Sequence, residues 1–132
     1  MLNGGCFCGA IRYQARAQTV QATNCHCSIC RRTTGAPYVA WFSVPREDFT
    51  VLAGTQSAFR SSTHATRTFC AACGTQLTFA DDATPGEIDV TIGSLDEPGR
   101  VCPTDHIFTG SKLAWVGLAD GLPQFEGGRP DG

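Results

Sequence analysis

Seven of the chain's eight cysteines fall into three short clusters, and their spacing limits the possible folds more than any hydrophobic pattern does. Cys6 and Cys8 form a C-x-C, Cys25, Cys27 and Cys30 a C-x-C-x-x-C, and Cys70 and Cys73 a C-x-x-C, while Cys102 stands apart. The opening stretch "MLNGGCFCGA" has no basic segment leading into an apolar run. No export signal is therefore expected, and a cytoplasmic location is the default. In a reducing compartment such clusters read as metal or catalytic sites before they read as disulfides.

The clusters are of two kinds. Gly9 follows Cys8 and Gly74 follows Cys73. A chain that wraps a metal must turn backbone N–H groups toward the sulfurs, and glycine allows the positive φ that such a turn requires. Cys6, Cys8, Cys70 and Cys73 thus read as two matching half-sites of one closed tetrahedral zinc, a staple between the first strand and the middle of the chain. Two reduced pairs, or a redox dithiol at Cys70 and Cys73, are the plainer alternatives. The second would leave Cys6 and Cys8 unexplained.

No glycine follows the trio; Arg31 and Arg32 do. Three protein ligands leave the fourth position of a zinc open, as catalytic sites do. His26 or Cys102 could instead close that position, or the trio could be a set of reduced thiols. Three thiolates give the ion a net charge of about −1, which blunts it toward water but suits capture of a thiol, since a coordinating thiol loses its proton. Arg31 and Arg32 would offset this charge or grip carboxylates of an anionic thiol. Their bland reading is as solvated residues on a short helix.

The 132-residue chain fits one domain, residues 1–125, with a loose Gly-rich tail at 126–132. Its apolar share of 42% excludes wholesale disorder. The net charge of −2 argues against nucleic acid as the main partner, and no apolar run is long enough to span a bilayer. Oligomeric state is not legible. Strands are expected over 9–17, with 19–25 as the hairpin partner, and over 37–44, 49–54, 56–61, 65–70, 75–80, 87–95 and 105–110. One or two helical turns are expected over 28–35, with Ser28 as N-cap and Gly35 as the stop, and another turn over 111–115. The class is mainly β, a single domain of short antiparallel strands.

The stretches "GGCFCGAIRY" (4–13), "CHCSICRRTTGAPY" (25–38), "FCAACGTQL" (69–77), and "HIF" with "KLAW" (106–115) resemble the glutathione-dependent formaldehyde-activating family, to which centromere protein V domains also belong. The resemblance implies a β-tent fold, a structural zinc on the positions of Cys6, Cys8, Cys70 and Cys73, and a second, catalytic zinc on those of Cys25, Cys27 and Cys30. It also implies two zinc ions per chain. The implied activity is that of a carbon–sulfur lyase, forming S-(hydroxymethyl)glutathione from glutathione and formaldehyde. His106 sits at a family-typical position, where it would be an acid/base or substrate contact, or a hydrogen-bonded histidine holding a strand end; the second is favoured. Trp41, Phe42, Phe79 and Trp115 read as core, His64 as an exposed loop residue, Cys102 as a free thiol, and Tyr38 as either cleft or core. The alternative function is a non-catalytic zinc scaffold for a protein partner.

Overall fold

The computed structural model describes residues 1–16 and 20–130. The far end of the strand expected over 9–17, the start of that expected over 19–25, and the last two positions of the tail lie outside the described residues.

Among the described residues, ten short strands form two sheets. The smaller sheet consists of β1 (Leu2–Gly5), β2 (Arg12–Ala15) and β5 (Phe49–Ala53), in the order β1-β2-β5. The larger contains β3 (Gln21–Cys25), β4 (Val39–Pro45), β6 (Ser57–Arg60), β7 (Ala65–Phe69), β8 (Gln76–Asp81), β9 (Glu87–Thr91) and β10 (His106–Ile107), in the order β10-β3-β4-β9-β8-β7-β6. The ladders between these strands are antiparallel except that of β10 on β3, which is parallel. No described helix is long and apolar enough to cross a membrane.

The expected hairpin between 9–17 and 19–25 does not form. β2 pairs with β1 and β5, and β3 pairs with β4 and β10 in the other sheet. The physical reason lies in β1, which the sequence reading did not find: "LNGG" has too little side chain to show a period, yet it occupies the edge of β2 that β3 would need. Gly4 belongs there because a Cβ would lie 2.4 Å from the Tyr13 hydroxyl oxygen.

Alternation along the larger sheet separates two faces. Ala22, Phe42, Val44, Ile88 and Val90 pack with Tyr13 and Ala15 of the smaller sheet into the main core. Phe42 and Val90 are fully buried, each worth about 2 kcal/mol in water removed from apolar surface. The cross-strand register puts Thr23 opposite Trp41, Phe42 opposite Val90, Ser43 opposite Asp89, and Arg67 and Asp89 each opposite Phe79. Side chains of period two therefore deliver Thr23, Cys25, Trp41, Arg67, Phe79 and Asp89 to the other face. The strand expected over 37–44 forms as Val39–Pro45, with Phe42 and Val44 in the main core and Val39 and Trp41 on the other face.

The helix α1 (Ser28–Thr34) caps this second face. Its N-cap is Cys27 and not Ser28: the Cys27 thiol accepts the Cys30 N–H at 3.2 Å. Gly35, with φ 70°, ends it as expected, its N–H bonding Arg31 carbonyl oxygen. The turn expected over 111–115 begins earlier, as a 3-10 turn at Thr109–Ser111. Trp115 is 73% exposed, so the core reading of that residue is corrected. In the stretch expected to be a tail, the Glu126 and Gly127 carbonyls accept the N–H groups of Gly110 and Phe108, and Arg129 pairs with Asp105 at 2.6 Å.

Candidate metal centres

Cys6 and Cys8 lie in the β1–β2 turn, Cys70 and Cys73 in the β7–β8 turn. The two turns meet, so the four sulfurs come within 4.8 Å of one another across the two sheets. Cys6 and Cys8 Sγ are 3.5 Å apart, and Cys8 and Cys70 Sγ 3.8 Å. A tetrahedral zinc with sulfur at about 2.3 Å requires sulfurs about 3.8 Å apart, so the donor set fits that ion in both chemistry and spacing. Gly9 has φ 81° and Gly74 φ 83°. Nothing lies within 4 Å of a Cβ built at either one, so positive φ, and not crowding, is what calls for glycine. The turns aim donors inward: Ile11 N–H reaches Cys6 Sγ at 3.2 Å. The Thr75 hydroxyl, helped by the Thr75 and Cys8 N–H groups, draws the Cys73 thiol down to about 5, toward the ligating thiolate.

The trio arises where a strand becomes a helix. Cys25 closes β3, Cys27 caps α1 and Cys30 sits in its first turn, which brings the three sulfurs within 4.8 Å of one another. Cys25 and Cys30 Sγ are 3.4 Å apart. Thiol hydrogen bonds from Cys25 and Cys30, with the Cys30 N–H and the Arg67 charge, pull Cys27 far down. Cys25, which supplies one of those protons, is pushed up. Neither His26 nor Cys102 joins this cluster among the described residues. His26 points elsewhere and Cys102 is exposed.

The cation at the trio is Arg67, which the sequence reading missed. It is 3% exposed, and its guanidinium donates to Cys30 Sγ at 3.6 and 3.7 Å, to Ser61 Oγ at 3.1 Å and to Thr33 Oγ1 at 3.4 Å. It lies 4.9 Å from the Phe79 ring centroid and 5.8 Å from that of Trp41, within cation–π range. Among the described residues it makes no ion pair with a carboxylate. A buried guanidinium needs an anion, and the Cys27 thiol, drawn down in part by the Arg67 charge, answers that need. A signal existed: in "ATRTFC" the arginine shares the strand period of Ala65, on the inward face.

Arg31 and Arg32 take other places. Arg31 donates to the carbonyl oxygens of His26 and Ser111, and Arg32 is exposed. His106 is fully buried, bonded to His26 at 2.9 Å and to Asp120 at 2.7 Å, with Tyr38 stacked on His26 at 4.6 Å between centroids. His64 is exposed, as expected. Beside the trio opens a cavity of about 360 Å³, walled by Trp41, Phe79, Ile107, Phe108 and Ile29, with Arg67 and Asp89 also on its lining. Burial raises the Asp89 carboxyl to about 6, against the hydrogen bond it accepts from Ser43 Oγ at 2.5 Å.

Comparison with known proteins gives concordant matches. The sequence model described as glutathione-dependent formaldehyde-activating enzyme matches residues 1–111. An uncharacterized lyase of Schizosaccharomyces pombe is 35% identical over 77 residues, spanning 58% of this chain and 56% of that protein, little more than half its length. A Halomonas elongata protein, named as a candidate glutathione-dependent formaldehyde-activating enzyme, is 28% identical over 129 residues, spanning 88% of this chain and 80% of its own. A crystal structure of a Rhodobacter sphaeroides protein shares the fold, with a TM-score of 0.61 at 23% identity over 93% of this chain and 98% of that one.

Proposed function

The chain belongs to the glutathione-dependent formaldehyde-activating family, and from that premise we propose that it is a zinc-dependent carbon–sulfur lyase that joins a thiol, glutathione in the first instance, to an aldehyde. One observation carries the reading: three sulfurs converge beside a cavity, with no fourth protein donor brought to them among the described residues. Cys6, Cys8, Cys70 and Cys73 would hold a structural zinc, and Cys25, Cys27 and Cys30 a second one. The second ion would supply a Lewis acid that keeps an incoming thiol deprotonated at neutral pH.

The chain's own residues do the rest. Arg67 offsets the negative charge of the trio from a buried position, where a charge acts at low dielectric. Trp41, Phe79, Ile107 and Phe108 on the walls offer no hydrogen-bonding side-chain oxygen to hold water against the aldehyde carbon. His106 and Arg31 fix the loop that carries the trio, through His26 and its carbonyl oxygen. The bond change is an addition. Sulfur bonds to the aldehyde carbon, the C=O π pair moves to oxygen, and oxygen takes the proton that the thiol released.

The test is metal content and thiol binding on one sample. Two zinc ions per chain are expected, and cobalt at the trio should change its visible spectrum as glutathione is added. A trio that binds metal but shows no spectral response to thiol would remove the enzyme reading. It would favour the alternative, a zinc scaffold for a protein partner.

A further inference from the structure

We infer that the cavity beside the cysteine trio takes an uncharged apolar organic group, of the size of a phenyl ring or branched alkyl chain, borne by one of the two reactants. The inference rests on the reaction class proposed above and names what the one-carbon reaction leaves unused.

Size is the first argument. A one-carbon aldehyde is little larger than a water molecule, whose share of liquid volume is about 30 Å³. The cavity measures about 360 Å³, within the range of pockets that enclose whole organic ligands. Formaldehyde would leave most of it wet, against walls of Trp41, Phe79, Ile107 and Phe108.

Charge is the second. Glutathione carries two carboxylates besides its thiol. Of the basic side chains on the lining, Arg67 is committed to Cys30, Ser61 and two rings, and His64 lies 3.4 Å from Asp81. Asp81 and Asp89 also face this space. The adjoining groove shares both aspartates and adds Glu87 and an Arg129 already bonded to Asp105. A carboxylate entering here would meet like charge. A tripeptide thiol must therefore leave its charged ends outside, and the apolar walls select something else.

Phe108 is the third. It is the non-glycine residue with positive φ among the described residues, at 54°. That conformation costs about 1 kcal/mol. It is held by the Phe108 N–H on the Gly127 carbonyl at 2.9 Å, and the residue stands on the cavity wall, 39% exposed. Strain of this kind persists where the surroundings enforce it, and it gathers at ligand clamps.

The apolar group could enter on the aldehyde or on the thiol; in both cases the sulfur–carbon bond forms as described, with no oxidant or reductant. The experiment uses the zinc-loaded full chain in a Trp115→Phe background, which leaves Trp41 as its one indole. Benzyl alcohol, an unreactive probe, should give a saturable change in Trp41 fluorescence. Phe108→Gly relieves the backbone strain while removing the ring, and should weaken binding about tenfold or more. Adduct formation is then followed by NMR exchange for three pairs: glutathione with benzaldehyde, phenylmethanethiol with formaldehyde, and glutathione with formaldehyde. One of the first two should exceed the third about tenfold in kcat/KM and lose that advantage in Phe108→Gly; the pair that does so identifies the carrier. Absence of a saturable probe signal overturns the inference, as does a one-carbon pair that matches both others. A Trp41 response without turnover of any pair supports the apolar site and overturns the lyase reading.

Discussion

His106 Nδ1 lies 2.9 Å from His26 Nε2 while His106 Nε2 lies 2.7 Å from Asp120 Oδ2. The carboxylate can only accept, so His106 donates from Nε2 and receives from His26. Both imidazoles are fully buried, and burial, with the charges of Lys112 and Arg31, keeps the His26 pKa low. His26 Nδ1 is left buried without a partner.

His106→Ala would strip the second nitrogen of His26 as well. A loss of about 2–4 kcal/mol is expected by urea unfolding, from one unsatisfied buried group and a cavity. Asp120→Asn, at a side chain 43% exposed, should cost under about 1 kcal/mol. Equal losses would contradict the burial argument.

The two cysteine clusters should separate by mutation. Cys70→Ser breaks a staple between sheets, and the loss is expected to be of the order of the domain's whole stability, about 5–15 kcal/mol. Cys27→Ser keeps a good N-cap for α1, so circular dichroism should stay native while the second zinc and turnover are lost. Cys27→Ala should cost about 1 kcal/mol more than Cys27→Ser.

Arg67→Met keeps the packing between Trp41 and Phe79 but removes the counter-charge of the trio. Affinity for the second zinc should fall about 10–100-fold in competition with a chelator, with the quartet unchanged. Retention of wild-type affinity would show that the guanidinium acts only through packing.

Asp89 provides a pH signature. Its folded carboxyl titrates at about 6, above the ordinary value of 3.8. The folded state therefore holds a proton that the unfolded chain has lost, and stability falls as pH rises through this interval. Asp89→Asn removes that fall. The variant should gain on wild type from about pH 4 to pH 6, then hold a constant advantage of about 1–3 kcal/mol, read by paired urea titrations.

What the chain's sequence decided by itself is local. Cys6 with Cys8, Cys70 with Cys73, and the glycines after them specify matched turns, because a positive φ at one residue is a property of that residue. The trio's convergence is equally local: its cysteines lie within six consecutive residues, so the strand-to-helix turn suffices. The mainly β class followed from short alternating runs. Strand partners did not, since β3 and β2 have similar patterns and their pairing depends on which edge the featureless β1 takes. Only tertiary structure decided that the cation at the sulfurs is Arg67, 37 residues from Cys30, and not the adjacent Arg31 or Arg32. Only it placed His106 against His26 and left Trp115 outside the core. Such choices depend on cross-strand register and on which buried charge finds a partner, and those are properties of the assembled sheets.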